Sequence, residues 1–375
     1  MKTFYDEMLK TNEINVGRLT ENINGDLVMR ALEKDGMSFN DMLCLLSERA
    51  LLHIDILASR AKEMTDTHFG KNINLYIPLY LSNECSNSCS YCGFNVNAVI
   101  PRNTLTIAEA EIEMKRIAAT GMKNILLLTG EAPAKAGVGY MEHVIKIASL
   151  YFTQISLEVY PMDIPEYERL VKAGATGLVI YQETYDETLY AKLHETGPKK
   201  NFRYRLEAPE RAAQAGFRFI GIGALLGLSE WRKEAALMFS HAKYLSKKYW
   251  RSDIALSFPR ITPARGCKTE IAPVSETELR QMIFTARIYL EHAVINLSTR
   301  ESAVFRDSMI GFGVTRLSAG SKTNPGGYEI HPEASGEQFM VNDTRTVEEV
   351  TLFISERGYY PVFKDWDISL NEKIK

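Results

Sequence analysis

The sequence predicts an α/β fold, a (β/α)8 barrel of the TIM type with an N-terminal helical extension and a C-terminal capping segment. The first reason is an alternation. From about Ile73 onward, short apolar runs alternate with longer amphipathic stretches over more than two hundred residues, which is how strand–helix units around a parallel sheet read. The second is punctuation: Gly121, Gly174 and Gly216 each close a helical stretch just before the next apolar run. The third selects a barrel over an open doubly wound sheet. The runs number seven or eight, and no Gly-x-Gly-x-x-Gly fingerprint follows the first of them.

Residues 1–70 read as the helical extension. Ser38 stands before an apolar run that ends Cys-Leu-Leu46, a capped helix start, and Leu51–Ala61 continues with helical spacing. Cys44 lies on that apolar stripe as a packed core thiol. The barrel is expected over 71–310. Its strand-like runs are Leu75–Leu81, Ile125–Leu128, Ile155–Val159, Gly177–Tyr181, Phe219–Leu225, Ile254–Phe258 and Val294–Leu297. Between them fall helical patterns at Thr106–Ala119, Met141–Ala148, Pro165–Ala173, Ala208–Ala215 and Trp231–Ser246. Residues 311–375 make the capping segment. Its first part, 311–340, is rich in Gly, Ser, Thr, Asn and Pro and reads as a long loop over the barrel mouth. Thr346–Glu356 adds one more amphipathic helix.

At 375 residues and 45% hydrophobic, the chain has ample apolar material for a full core. A net charge of −3 without a basic block gives no footing for nucleic acid. The N-terminus lacks the apolar core of a secretory signal, and no apolar run is long enough to cross a bilayer. Five cysteines, three of them clustered, suit a reducing compartment, so a cytoplasmic location is expected.

Those three, Cys85, Cys89 and Cys92, fall within eight residues, directly after the first barrel run. A four-iron cluster takes four thiolates. Three on one tight loop leave one iron open to bind a small molecule directly, which is what reductive cleavage of S-adenosylmethionine requires. Structural zinc sites pair Cys-x2-Cys with a second Cys or His pair, and none is present, since Cys44 and Cys267 stand alone and the seven histidines are scattered. A disulfide and a zinc site are the competing readings.

Other candidates lie where catalytic groups of barrels gather, at the C-terminal ends of strands. Tyr91 and Phe94 flank the last cysteine and suit exclusion of water and stacking on adenine. Thr129, Gly130 and Glu131 end the second run and offer a carboxylate and carbonyls to an ammonium group. Glu158 interrupts an apolar run, and a charged residue there needs a ligand or a buried arginine. Gln182 and Glu183 end the fourth run and suit ribose hydroxyls. Arg205 suits a carboxylate. Leu225 ends the fifth run on a glycine-rich edge that suits a flat adenine. Arg300, Ser318 and Ser321 follow the late runs; a solvated turn with a salt bridge describes them equally well.

The Cys-x3-Cys-x2-Cys loop before a barrel resembles the radical S-adenosylmethionine superfamily. The strings Pro78–Asn83 and Tyr91–Phe94, with Thr129–Glu131, Ile180–Tyr185, Ser257–Arg260, Leu297–Glu301, Ser321–Tyr328 and Val362–Asp367, resemble its aromatic amino acid lyase branch. Within that branch the chain is most similar to the 2-iminoacetate synthase family, tyrosine lyases that serve thiazole formation in thiamine biosynthesis. The resemblance implies a 4Fe-4S cluster on Cys85, Cys89 and Cys92. It implies the methionyl amine at Glu131, with Thr129 for the first glycine of the usual Gly-Gly-Glu. Ribose would lie at Gln182 and Glu183, the methionyl carboxylate at Arg205, and adenine along Gly223 to Glu230. Arg300 and a serine of 318–321 would take the substrate carboxylate, and Tyr80 would lie near its amine. The implied reaction splits the Cα–Cβ bond of L-tyrosine into 2-iminoacetate (dehydroglycine) and p-cresol, with methionine and 5′-deoxyadenosine. The implied partners are a thiazole synthase and a reductant such as flavodoxin or ferredoxin.

A hydrogenase maturase that also cleaves tyrosine carries further cysteines for a second cluster; only Cys267 follows Cys92 here, which disfavours it. A tryptophan lyase of the same branch remains the alternative substrate reading. A non-catalytic iron–sulfur electron-transfer or scaffold protein is the alternative from another class.

Overall fold

The computed structural model describes residues 2–12, 20, 22–262, 269–332 and 336–364. Cys267 and the Asp365–Asp367 end of the last motif lie outside the described residues.

Eight strands close a parallel ring. They are β1 (Asn72–Ser82), β2 (Asn124–Thr129), β3 (Gln154–Glu158), β4 (Gly177–Glu183), β5 (Phe219–Ala224), β6 (Asp253–Ser257), β7 (Val294–Leu297) and β8 (Arg316–Ser318). Each pairs with the next, and β8 returns to β1 through Asn74↔Arg316, Leu75↔Leu317 and Tyr76↔Ser318. A ninth strand, β9 (Tyr360–Val362), joins the start of β1 in register Asn72↔Tyr360.

Strand alternation separates two cores. Leu75, Ile77, Leu79 and Leu81 of β1 face the surrounding helices. Tyr76 and Tyr80 point inward, with Leu126, Leu128, Val179, Phe219 and Ala255. The Arg316 guanidinium lies inside the ring, 4.7 Å from the Tyr76 ring centre and 4.5 Å from that of Phe219.

The outer helices include Ile107–Ala118, Val138–Ala148, Ile164–Ala173, Ala208–Gln214, Trp231–Lys248 and Glu276–Tyr289. Reciprocal side-chain caps start several of them: Thr106 with Glu109, Ser275 with Glu278 and, on the C-terminal helix Val347–Glu356, Thr346 with Glu349. Each satisfies backbone N–H groups that have no partner in the helix, contributing about 1 kcal/mol.

The N-terminal helices brace one side of this ring. Phe4 stacks on His241 of Trp231–Lys248 with ring centres 4.1 Å apart. The Gln281 amide of Glu276–Tyr289 donates to the carbonyls of Leu45 and Ser47, at 2.8 and 2.7 Å. Cys44 is buried there in the apolar core.

Two strands fall in segments whose composition reads otherwise. β8 lies within the stretch expected as loop, because Arg316-Leu-Ser318 carries two polar residues, both buried. β9, only three residues long, sits beyond the last helix. Among the described residues no helix is long and apolar enough to cross a membrane.

Candidate active site

The cysteine loop leaves β1 at the C-terminal end of the ring and is tied down on both sides. The Arg102 guanidinium donates to the carbonyls of Asn83, at 2.6 Å, and Phe94, at 2.9 Å. On the other side, Ser86 donates from N and Oγ to the Glu131 carbonyl, at 3.0 and 2.8 Å. Asn87 Nδ2 donates to the Glu131 carboxylate at 2.7 Å. Gly130 permits this approach, since a Cβ there would run into the Glu84 carbonyl oxygen and come within 3.1 Å of Cys85 Cβ.

N–H groups face the sulfurs. Asn87 Nδ2 lies 3.6 Å from Cys85 Sγ, and the Phe94 amide and Gln338 Nε2 lie 3.4 and 3.9 Å from Cys92 Sγ. Burial pushes the Cys89 thiol up to about 12 against the pull of Lys199, and burial raises Cys92 as well. Without metal these thiols keep their protons; a metal must displace them to bind thiolate.

At the end of β4 a register shift opposite β5 puts Glu183 at φ 74°, a left-handed backbone unusual for a side-chain-bearing residue. Its carboxylate meets Lys199 Nζ at 2.7 Å and the Arg205 guanidinium at 3.6 Å. Burial would raise its pKa, but the two cations prevail and lower it. Arg205 Nε is anchored on the Tyr181 carbonyl at 2.7 Å. Glu158, at the end of β3, goes the other way. Burial and the Glu183 charge push it up to about 7, against Arg300, Arg205 and Lys199. The Tyr91 hydroxyl bonds His194 Nε2 at 2.7 Å, while His194 Nδ1 meets the Tyr190 carbonyl at 2.8 Å. Burial and Lys199 drive this histidine down to about 3, so the neutral ring accepts the tyrosine proton.

Two adjoining cavities emerge. One is lined by Cys85, Cys89, Cys92, Phe94, Thr129 to Glu131, Glu158, Glu183 and Arg205, among others. The other is lined by Tyr91, Leu225, Thr262, Arg300 and Phe339, among others. Cys92, Glu158, Tyr181, Glu183, Lys199 and Gln338 belong to both. Arg300 lies over the Phe339 ring, 3.4 Å from its centre. Tyr80 donates its hydroxyl proton to Gln338 Oε1 at 2.7 Å.

Most of the sequence-derived candidates therefore meet at one mouth. Four line neither cavity. Tyr80 is buried and reaches the mouth only through its bond to Gln338. Gln182 is buried with neither amide atom bonded, and it lines neither cavity. Ser318 is held inside the ring, its Oγ accepting from Thr299 N at 3.1 Å and its carbonyl from Arg306. Ser321 lines a separate cavity beside Ile77, Ile117 and Val347. Sequence reasoning missed Lys199, Gln338, Phe339 and Asn87. Asn87 sits inside the cysteine motif and was the most findable; the other three reach the mouth from segments with no motif of their own.

The radical SAM superfamily model matches residues 79–239, and the biotin and thiamin synthesis associated domain matches 257–360. The 2-iminoacetate synthase of Escherichia coli K12 is 39% identical over 372 residues, covering 98% of this chain and 97% of the relative. The Salmonella typhimurium LT2 enzyme of the same name is 39% identical over 371 residues, with the same coverage. The chain belongs to the 2-iminoacetate synthase family. Among solved structures, the FeFe-hydrogenase maturase HydG from Carboxydothermus hydrogenoformans superposes with a TM-score of 0.84 at 31% identity, covering 99% of this chain and 84% of that one. Methylornithine synthase shares the fold, with a TM-score of 0.70 at 22% identity over 90% of this chain and 97% of that one.

Membership of the 2-iminoacetate synthase family brings a 4Fe-4S cluster and S-adenosylmethionine as cofactors, and the residues suit both. Three thiols on one loop, with N–H donors aimed at two of the sulfurs, fit a cluster whose thiolates are hydrogen-bonded. The described residues hold no group of His, Cys, Asp or Glu gathered for a single metal ion; a cluster, in which each thiolate binds a different iron, does not need one. The Thr129 hydroxyl is buried without a protein partner in the wall of the cysteine cavity, as a ligand-facing group would be.

Proposed function

We propose that this chain splits the Cα–Cβ bond of L-tyrosine into 2-iminoacetate and p-cresol, consuming S-adenosylmethionine to methionine and 5′-deoxyadenosine, in service of thiazole formation for thiamine. The observation that carries the reading is the shared wall of side chains between the cysteine cavity and the Arg300 cavity. A reactive group released beside the cysteines has only that wall to pass before it meets an amino acid held at Arg300. When bound, the reduced cluster passes an electron to the sulfonium of S-adenosylmethionine and so supplies the 5′-deoxyadenosyl group that takes hydrogen from the tyrosine amine.

The chain's own residues do the rest. Cys85, Cys89 and Cys92 hold the cluster. Thr129, Gly130 and Glu131 receive the methionyl amine, and Arg205 the methionyl carboxylate. Glu183, with Gln182 behind it on β4, serves the ribose, and Leu225 packs with Tyr91 and Phe94 around adenine. Arg300 binds the tyrosine carboxylate as a two-pronged donor, and neither Ser318 nor Ser321 lines its cavity to assist. Tyr80 faces the tyrosine amine. Glu158 is the one carboxyl common to both cavities that has no ion-pair partner within 4 Å among the described residues; it is suited to exchange a proton near neutral pH. Phe339 and Tyr181 keep water from the reacting carbon. A flavodoxin- or ferredoxin-type reductant supplies electrons. A thiazole synthase takes over the easily hydrolysed imine, and the cytoplasm is the natural setting for this chemistry.

Anaerobic turnover tests the proposal. Reconstituted protein, S-adenosylmethionine and a strong reductant are offered L-tyrosine or L-tryptophan, with products read by mass spectrometry. The expected outcome is p-cresol, glyoxylate from the hydrolysed imine and 5′-deoxyadenosine with tyrosine only. Deoxyadenosine formed with tryptophan alone would overturn the substrate assignment.

A further inference from the structure

One short stretch of the capping segment touches Tyr80, the cysteine loop and Arg300. Gln338 Oε1 accepts the Tyr80 hydroxyl proton at 2.7 Å, and Gln338 Nε2 points at Cys92 Sγ at 3.9 Å. The next residue, Phe339, lies flat against the Arg300 guanidinium. The stretch is held by its backbone, with Gln338 N donating to the Thr323 carbonyl at 3.0 Å and Thr323 Oγ1 donating to the Phe339 carbonyl at 3.0 Å. It presses onto the cysteine loop at Gly93, where a Cβ would come within 2.6 Å of the Gln338 carbonyl oxygen and 3.0 Å of that of Glu337. Only glycine lets the two segments meet this closely.

We propose that Gln338 is a positioning residue that sets the hydrogen-bond polarity of Tyr80 and, through the other end of the same amide, the electron affinity of the cluster at Cys92. The inference deepens the lyase reading and rests on it. A phenol has one proton. Once Tyr80 gives it to Gln338 Oε1, the oxygen has only lone pairs left for a group that arrives beside Gln338, which lines both cavities although Tyr80 itself lines neither. It then suits the N–H of a substrate amine and repels a carboxylate, so the amino acid enters with its carboxylate toward Arg300 and its amine toward Tyr80. Burial holds the Tyr80 proton in place by raising its pKa well above that of a free phenol. At the other end, an N–H directed at a cluster thiolate stabilises the more negative, reduced state and raises the reduction potential. One side chain thus ties readiness to accept an electron to the orientation of the substrate.

Two variants separate the two ends. Gln338→Leu removes both hydrogen bonds. Its cluster midpoint, read by EPR-monitored titration without tyrosine, should move to more negative potential. Its tyrosine KM should rise about tenfold, the loss of one buried hydrogen bond, and more than one deoxyadenosine should form per p-cresol. Gln338→Glu keeps an acceptor for Tyr80 and loses the donor to Cys92. Its midpoint should also fall, while tyrosine KM stays within about threefold of the wild type. Iron content and thermal melting of each variant are measured first; if the leucine variant does not load iron, Gln338→Asn, too short to reach both partners, replaces it. An unchanged midpoint in both variants overturns the link to the cluster, and an unchanged KM and product ratio in the leucine variant overturns the role at Tyr80. Failure of the wild type to make p-cresol would sink the lyase reading instead and leave the potential measurement standing.

Discussion

The half of the ring that carries the cysteines and the half that carries Arg300 are built by different means. On the cysteine side, Cys85 to Cys92, Thr129 to Glu131 and Glu183 each follow directly from a long, buried parallel strand, and the first two clusters bond to each other across one strand pair. On the Arg300 side, β7 and β8 are short, and the cavity is finished by Gln338 and Phe339 from far along the chain. The N-terminal helices pack outside this weaker half, against Glu276–Tyr289 and Trp231–Lys248. The difference suits the two tasks proposed above. A cluster and its cofactor on the cysteine side would need fixed ligands, whereas a substrate-selecting wall on the Arg300 side would benefit from parts that are separable from the strands.

Variants sharpen or break this contrast. The largest effect is expected from Cys89→Ala, which should load less iron and form no detectable 5′-deoxyadenosine with any amino acid; retained turnover would remove the cysteine half from the mechanism. Next comes Arg300→Ala, which loses a charge-assisted contact of about 3 kcal/mol, or about 10²-fold in the tyrosine KM. The S-adenosylmethionine requirement should change by less than about threefold, and equal rises in both would erase the distinction between the halves. Glu158→Gln tests the shared wall through pH. The folded carboxyl holds its proton up to about 7, against 4.5 ordinarily, so the folded state binds protons more tightly. Its contribution to stability is full below pH 4.5 and is lost as pH rises toward 7. Denaturant melts of the glutamine variant should lack that decline, and a parallel pH dependence in both proteins would place the carboxyl elsewhere. The smallest effect is expected from Ser321→Ala, within about threefold in tyrosine KM, because Ser321 lines a different cavity from Arg300 and its hydroxyl is buried. A large rise would join the two cavities.

The same contrast governs what the residues disclose before folding. Strands β1 to β7 are legible because a strand covered on both faces reads as an apolar run, and Gly121, Gly174 and Gly216 do end helices with positive φ. β8 is not legible, because its polar residues turn inward: Arg316 is sandwiched between two aromatic rings, and Ser318 receives Thr299 N. The cysteine cavity was readable because its groups, Arg205 on the helix Phe202–Leu206 apart, are local in sequence at or just after strand ends. Lys199 was not, since its role comes from the distant Glu183. Gln338 owes its place to Gly93 and Thr323, contacts that no local pattern encodes.

The strand pairings also fix an order of events during synthesis. β1 emerges early and finds β2 close behind it, yet its other partners, β8 and β9, come from near the other end of the described chain. Ring closure therefore waits on contacts of great sequence separation, which form slowly. Until then the cysteine loop stands on an open-sided sheet without Gln338 pressed against it. The loop proposed to hold the cluster is thus uncovered in a newly made chain until the Gln338 stretch, which follows β8 in sequence, presses onto Gly93.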